Sequence, residues 1–380
     1  MGIVGFVISL ALILAILGEG FEAMVLPRQV MRPYRYTRLY YRLLWEFWRL
    51  LALNIPPGKW RASFLSVFGP LSLLGLFASW VAGLIVGFAL LNWSLGTTLN
   101  PGGAAADFLT YLYYSGTTFF TLGYGDVTPA ALGGRALAVA ESGIGFGFMA
   151  LIIGYMPVLY QAFSRREVTI SLLDARAGSP PSAGEALLRL ARSGKMAAVD
   201  GYLAEWERWS AELLESHLSF PVLIYYRSQH DNQSWLAAVT AVLDTCSLLL
   251  ACVPGHNPHQ AQFTFAMARH AVVDLALVLH TPALAPDGDR LPGASLETLR
   301  KQLQAAGLEL TAGALAEAKL TELRGMYEPF VAALARHLLF TLPATVPAES
   351  IADNWQRSAW MPKTPGIGKL GRTAGEAHFD

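Results

Sequence analysis

Between Thr121 and Asp126 the chain reads Thr-Leu-Gly-Tyr-Gly-Asp, and these residue types in this order can take the place of water around a cation. Gly123 and Gly125 alternate with residues that carry side chains, and glycine accepts the φ > 0 conformations that other residues avoid. A backbone that visits such conformations at alternate positions can aim successive carbonyls at one axis, where rings of C=O groups replace an ion's hydration shell. Thr121 adds a hydroxyl at one end of the run and Asp126 a carboxylate at the other. In a soluble loop the same glycines would mean only a tight turn. Here the run stands between two long apolar segments and directly follows an aromatic-rich stretch with Tyr111, Tyr113, Tyr114, Phe119 and Phe120, so the turn is the weaker reading.

Within the longer pattern Thr118-x-x-Thr121-x-Gly123-Tyr124-Gly125-Asp126, the run resembles the selectivity filter of potassium channels of the prokaryotic two-transmembrane, pore-loop type. The resemblance covers residues 64–163. It implies a tetrameric pore of outer helix, pore helix, filter and inner helix; together with the helical spacing of apolar residues read separately in 186–340, the expected fold is an all-α membrane protein with an α-helical cytoplasmic domain. It also implies that Thr121, Leu122, Gly123, Tyr124 and Gly125 bind K⁺, that the Tyr124 ring wedges against the pore helix, and that Asp126 gathers cations at the mouth. Thr117, Thr118, Tyr113 and Tyr114 would support the filter. K⁺ is the permeant ion; no cofactor and no other metal is expected. Many such channels place a carboxylate nine residues before the filter aspartate, where this chain has Thr117. Glu141 is a candidate substitute that could reach the back of the pore helix, the alternative being a bridge to Arg135. One pore loop cannot enclose an axis, so a homotetramer is expected.

The rest of the composition suits a membrane protein with a soluble part. Only 15% of residues are charged and mean hydropathy is +0.38, while 28 basic residues balance 28 acidic ones, so net charge names no partner and no nucleic acid. Three segments are apolar over the roughly 20 residues that cross about 30 Å of hydrocarbon: Gly2 to Leu26, Phe64 to Trp93 and Ala136 to Leu159. Residues 28–61 hold eight basic side chains against the single acid Glu46, and residues 62–134 hold no Lys or Arg. By the positive-inside rule this puts the amino terminus outside, the 121–126 run at the outer side and the carboxyl-terminal part in the cytoplasm of a bacterial inner membrane. The first segment has no basic start or small-residue cleavage site and is expected to stay as a helix. Glu19 and Glu22 near its inner end are expected to pair with Arg28 or Arg32 rather than line an ion path.

Arg28, Arg32, Arg35, Arg38 and Arg42 have the spacing of a voltage sensor, but Pro33 interrupts them, and weak voltage dependence is expected. From Arg38 to Leu53, charged positions share a stripe opposite Leu39, Leu43, Trp45, Trp48, Leu50 and Leu53, the pattern of an amphipathic helix at the bilayer surface. In the third segment Gly143, Gly145, Gly147, Gly154 and Pro157 could make a gating hinge or allow close packing. The expected organisation is an N-terminal transmembrane helix (1–26), a basic loop with the amphipathic helix (27–62), a pore domain (63–163), a linker (164–185), a cytoplasmic helical domain (186–340) and a flexible tail (341–380).

The helical domain is read as the binding place of an unknown cytoplasmic regulator. Its segments Trp235 to Val253 and Phe263 to His280 are apolar enough to span, but Asp244 in one and Arg269, His270 and Asp274 in the other point to buried core helices. Cys246, Cys252, His256 and His259 lack the spacing of a zinc site. No constellation of nucleophile, base and cofactor appears, so an enzyme is not expected. Two other readings stay open: a weakly selective cation channel, and a membrane-anchored sensor or interaction protein in which the pore only tetramerises the chain.

Overall fold

The computed structural model describes residues 2–26, 35–100, 106–194, 196–230, 232–255 and 257–346. They fold into two compact units, Met1–Gln161 and Ala162–Asp380. Both are helical. The described strands are β1 (Leu99–Asn100) and β2 (Thr128–Pro129), which pair antiparallel with Leu99 opposite Pro129.

The first unit contains α1 (Gly2–Met24), α2 (Tyr36–Leu53), α3 (Lys59–Ser94), α4 (Phe108–Phe119) and the first part of α5 (Leu132–Ala177). Helices α1 and α3 run antiparallel and close together because α3 offers glycines one turn apart. A Cβ at Gly83 would stand 2.5 Å from Ile16 Cδ1, and one at Gly87 2.8 Å from Ile13 Cγ1. Helix α2 folds back along the first half of α3. Trp48 stacks on Phe64 at 4.5 Å, Trp45 meets Phe68 edge-on at 4.8 Å, and the Tyr40 hydroxyl donates to the Ser72 carbonyl at 2.9 Å.

Two carboxylates of α1 secure this arrangement. Glu19 accepts from the Tyr36 amide at 3.1 Å and the Thr37 hydroxyl at 2.6 Å, so it caps α2 across the chain, where the helix dipole favours negative charge. Glu22 pairs with Arg35 at 3.8 Å. Arg28 and Arg32, the expected partners, lie outside the described residues. The apolar bulk of α2 points two ways: Trp45 and Ala52 are buried, whereas Leu39, Leu43, Phe47 and Leu50 face outward.

Helix α5 is longer than its apolar segment. At 1.5 Å per residue its 46 residues extend about 69 Å, and residues 164–177, expected as linker, are helical. Arg166, Ile170, Leu173 and Ala177 recur at spacings of four, three and four and are all buried, a helical stripe that the Gly/Pro/Ser run just after it obscured.

The second unit comprises the end of α5 with α6 (Ala183–Arg192), α7 (Val199–Ser219), α8 (Trp235–Cys252), α9 (Pro258–Val278), α10 (Gly293–Ala305), α11 (Ala314–Gly325) and α12 (Glu328–Leu338). Ser182, Ser234 and Asn257 cap α6, α8 and α9 with side-chain oxygens. Helices α1, α3, α5 and α8 are long and apolar enough to cross a membrane, but the apolar stretch of α8 is 89% buried inside the chain. Its central Asp244 is fully partnered: Tyr327 donates to one oxygen, and Arg290 and Thr345 bond the other. Thr345 belongs to the expected tail, yet it is buried and its carbonyl accepts from the Gly184 amide at 2.9 Å. The packed region therefore reaches at least from Ala183 to Thr345; residues 347–380 lie outside the described residues.

Candidate functional site

The 121–126 run is positioned by α4, and α4 by α3. Asp107 starts α4 by accepting from the amide and hydroxyl of Thr110 at 2.9 and 2.6 Å. Asp107 and Thr110 form a local Asp-x-x-Thr capping pattern at the start of this helix. Trp93 packs on Phe108 at 5.5 Å, the Tyr111 hydroxyl donates to the Thr97 carbonyl at 2.8 Å, and the Ser115 hydroxyl to the Ile85 carbonyl at 2.8 Å. Helix α4 is thus fixed along its length before the run begins.

At its end the amides of the run turn back onto α4. Thr121 N–H donates to the Thr118 carbonyl at 3.0 Å, and the N–H groups of Leu122 and Gly123 donate to the Thr117 carbonyl at 2.8 and 3.5 Å. Among the described residues, no hydrogen bond ends on the carbonyls of 121–125. The backbone has φ 55° at Thr121, 56° at Gly123 and 80° at Gly125, but not at Leu122 or Tyr124. This alternation is what turning successive carbonyls to one side requires. Within the chain an added Cβ would meet nothing within 4 Å at Gly123 or Gly125, so conformation rather than crowding demands glycine there. Thr121 was not expected to take positive φ; a β-branched residue there carries about 1–2 kcal/mol of strain.

The neighbouring side chains differ in their ties. Asp126 accepts from the Tyr113 hydroxyl at 2.8 Å, linking the far end of the run to α4. Thr117 turns its hydroxyl back to the Tyr114 carbonyl at 3.0 Å. Tyr114 is buried, whereas Tyr124, expected to wedge against α4, is 69% exposed on its own chain. An open hollow of about 370 Å³ lies between Thr117, Thr118, Thr121 and Gly123 on one side and Ala138, Val139 and Ser142 of α5 on the other.

Behind the run, Glu141 of α5 is fully buried and hydrogen-bonded to the Ser115 hydroxyl of α4. Arg135 instead donates to the Pro129 carbonyl at 3.3 Å. One turn further along α5, a Cβ on Gly145 would stand 2.2 Å from the Phe119 carbonyl oxygen, whereas Gly143, Gly147 and Gly154 have open space. Pro157 lies inside α5. Of the histidine and cysteine residues, Cys252 is buried, His259 is exposed and His256 lies outside the described residues; among the described residues no group of three or more His, Cys, Asp or Glu could hold a metal.

Residues 75–161 match the family model described as "Ion channel", from within α3 to the end of the first unit. The chain is similar there to ion channels. Uncharacterized membrane protein YdjJ of Bacillus subtilis (strain 168) is 24% identical over 245 residues, covering 63% of this chain and 70% of that one. Protein LctB of Geobacillus stearothermophilus and Protein LctB of Bacillus caldotenax are each 34% identical over 90 residues, 21% of this chain and 66% of the relative. No solved structure gives a significant match. The ion-channel similarity covers parts of α3 and α5, α4 and the 121–126 run, and leaves α1 and α8 outside.

Proposed function

We propose that four copies of this chain assemble around Thr121–Gly125 into a K⁺-selective channel that conducts passively across the bacterial inner membrane. The observation that carries this reading is the positive φ at Thr121, Gly123 and Gly125 with five carbonyls left without hydrogen bonds. Exposed on the single chain, these carbonyls leave water only when four chains enclose an axis, and there a partly dehydrated cation takes the place of the water. The negative end of the α4 dipole is directed to the same place. Asp126, held by Tyr113, stands at the outer mouth. The amino terminus is outside, the second unit is cytoplasmic, and that unit assembles or gates the tetramer in response to a regulator.

Reconstitution in liposomes tests this. The expected outcome is K⁺ flux well above Na⁺ flux. Equal fluxes would replace it with a weakly selective cation channel, and no flux with a membrane-anchored sensor.

A further inference from the structure

Helices α4 and α5 meet through two contacts at matched spacing. Ser115 and Phe119, four residues apart on α4, face Glu141 and Gly145, four residues apart on α5. The first contact is the Ser115–Glu141 hydrogen bond. The second is a backbone approach so close that a Cβ on Gly145 would lie 2.2 Å from Phe119 O, 3.0 Å from Phe119 C and 3.2 Å from Phe119 Cα. Ser115 also donates to Ile85 of α3, so three helices converge on its hydroxyl.

We infer that Ser115 and Gly145 are positioning residues that set the ion selectivity of the Thr121–Gly125 run, an inference that rests on the K⁺-channel reading. Neither touches the ion. They act through α4: the atoms that Gly145 admits belong to the last residue of that helix, and the carbonyls of Thr117 and Thr118 just before it hold the amides of Leu122, Gly123 and Thr121. Because the obstructing atoms are backbone, a methyl at 145 has no flexible side chain to displace. Restoring an ordinary contact moves the end of α4 by about 1 Å. A shift of that size passes through the Thr117 and Thr118 carbonyls to the groups that coordinate the ion. Removing the Ser115 hydroxyl takes away one tie of α4 to each neighbour and leaves the Glu141 carboxyl without its partner.

The two glycine roles on α5 separate cleanly. Gly133 has open space where a Cβ would sit, so Gly133→Ala serves as a control on the same helix. Gly145→Ala, Ser115→Ala and Gly133→Ala are compared with the unchanged protein in liposomes, reading the K⁺/Na⁺ permeability ratio and, by native mass spectrometry, the assembly state. Fewer assembled channels lower total flux and leave the ratio alone, whereas displaced carbonyls lower the ratio itself. The expected result is a fall in the ratio of about tenfold for Gly145→Ala, the scale on which such displacements act in preorganised sites. A smaller fall is expected for Ser115→Ala and none for Gly133→Ala. If Gly145→Ala does not assemble, Ser115→Ala decides alone. An unchanged ratio in assembled Ser115→Ala or Gly145→Ala channels overturns the inference while the K⁺-channel reading stands. An unchanged protein that does not prefer K⁺ overturns both.

Discussion

Asp244 in the second unit has a donor on each carboxylate oxygen, Tyr327 on one and Arg290 with Thr345 on the other. Glu141 in the first unit is as deeply buried, yet only one of its oxygens meets a partner among the described residues. The backbone shows the same contrast. Carbonyls of Leu223 and Tyr226 in the second unit accept from the buried Arg166 guanidinium at 3.0 and 2.9 Å, whereas those of the exposed residues 121–125 accept nothing from the described residues. The Asp244 network is complete at the carboxylate, while Arg290 Nε and Nη1 are buried without a partner among the described residues. Glu141 Oε2 is a buried exception of this kind, behind the segment where an ion is proposed to bind, whereas residues 121–125 are exposed on the single chain. The two units thus set a buried carboxylate bonded on both oxygens against one bonded on a single oxygen.

Breaking the Asp244 network has the largest effect. Asp244→Ala strands the buried Arg290 guanidinium and costs about 3–5 kcal/mol, read as a lower unfolding midpoint and faster amide exchange in α8. A midpoint within error of the unchanged protein would show that the network is not structural. The opposite experiment concerns the unsatisfied carbonyls. Gly125→Ala opposes φ 80° without a steric clash within the chain, so assembly persists while K⁺ flux falls on the order of 100-fold. Undiminished flux would separate conduction from the alternating backbone.

A smaller effect sharpens the account of the second unit. His217 is buried, its Nδ1 hydrogen-bonded to the Leu213 carbonyl at 2.7 Å and its Nε2 accepting from Arg166 at 3.2 Å. Glu167 pairs with that guanidinium, Ser216 flanks Nδ1, and the Trp235 ring lies 5.4 Å away. Burial first, then Arg166, hold the imidazole well below its usual 6.5. The unfolded chain therefore binds a proton that the folded chain refuses. Stability is full above about pH 6.5 and falls with acidification by up to about 1.4 kcal/mol per pH unit. Thermal unfolding at pH 7 and pH 5 should show this loss, with a smaller one in His217→Gln. Equal losses would mean that another group carries the acid sensitivity.

The parts of this contrast differ in how plainly the sequence displays them. The helical class, the apolar segments and the two glycines are local patterns, readable from composition and spacing along one stretch. The Asp107 cap is equally local, an N-cap residue just ahead of the aromatic stretch. The helical stretch 166–177 was hidden by Gly178 to Ser182, since a breaker cluster outweighed a short buried stripe. Glu141 invited two partners, Ser115's side of α4 or Arg135, and spacing along α5 cannot choose between them. Gly145 is one of six glycines in α5. Only its distance to Phe119, a relation between helices brought together by folding, distinguishes it from Gly143 and Gly147. Positive φ at Thr121 was unreadable because nothing in a threonine announces strain; the α4 carbonyls impose it.

The central claim is that main-chain oxygens of Thr121–Gly125, from four chains, hold dehydrated K⁺ in a row. Crystals soaked in Rb⁺ as a K⁺ substitute test it directly by anomalous scattering. The account predicts a line of peaks on a four-fold axis, level with these carbonyls. Peaks confined to side-chain carboxylates, or no four-fold axis at this segment, would contradict it.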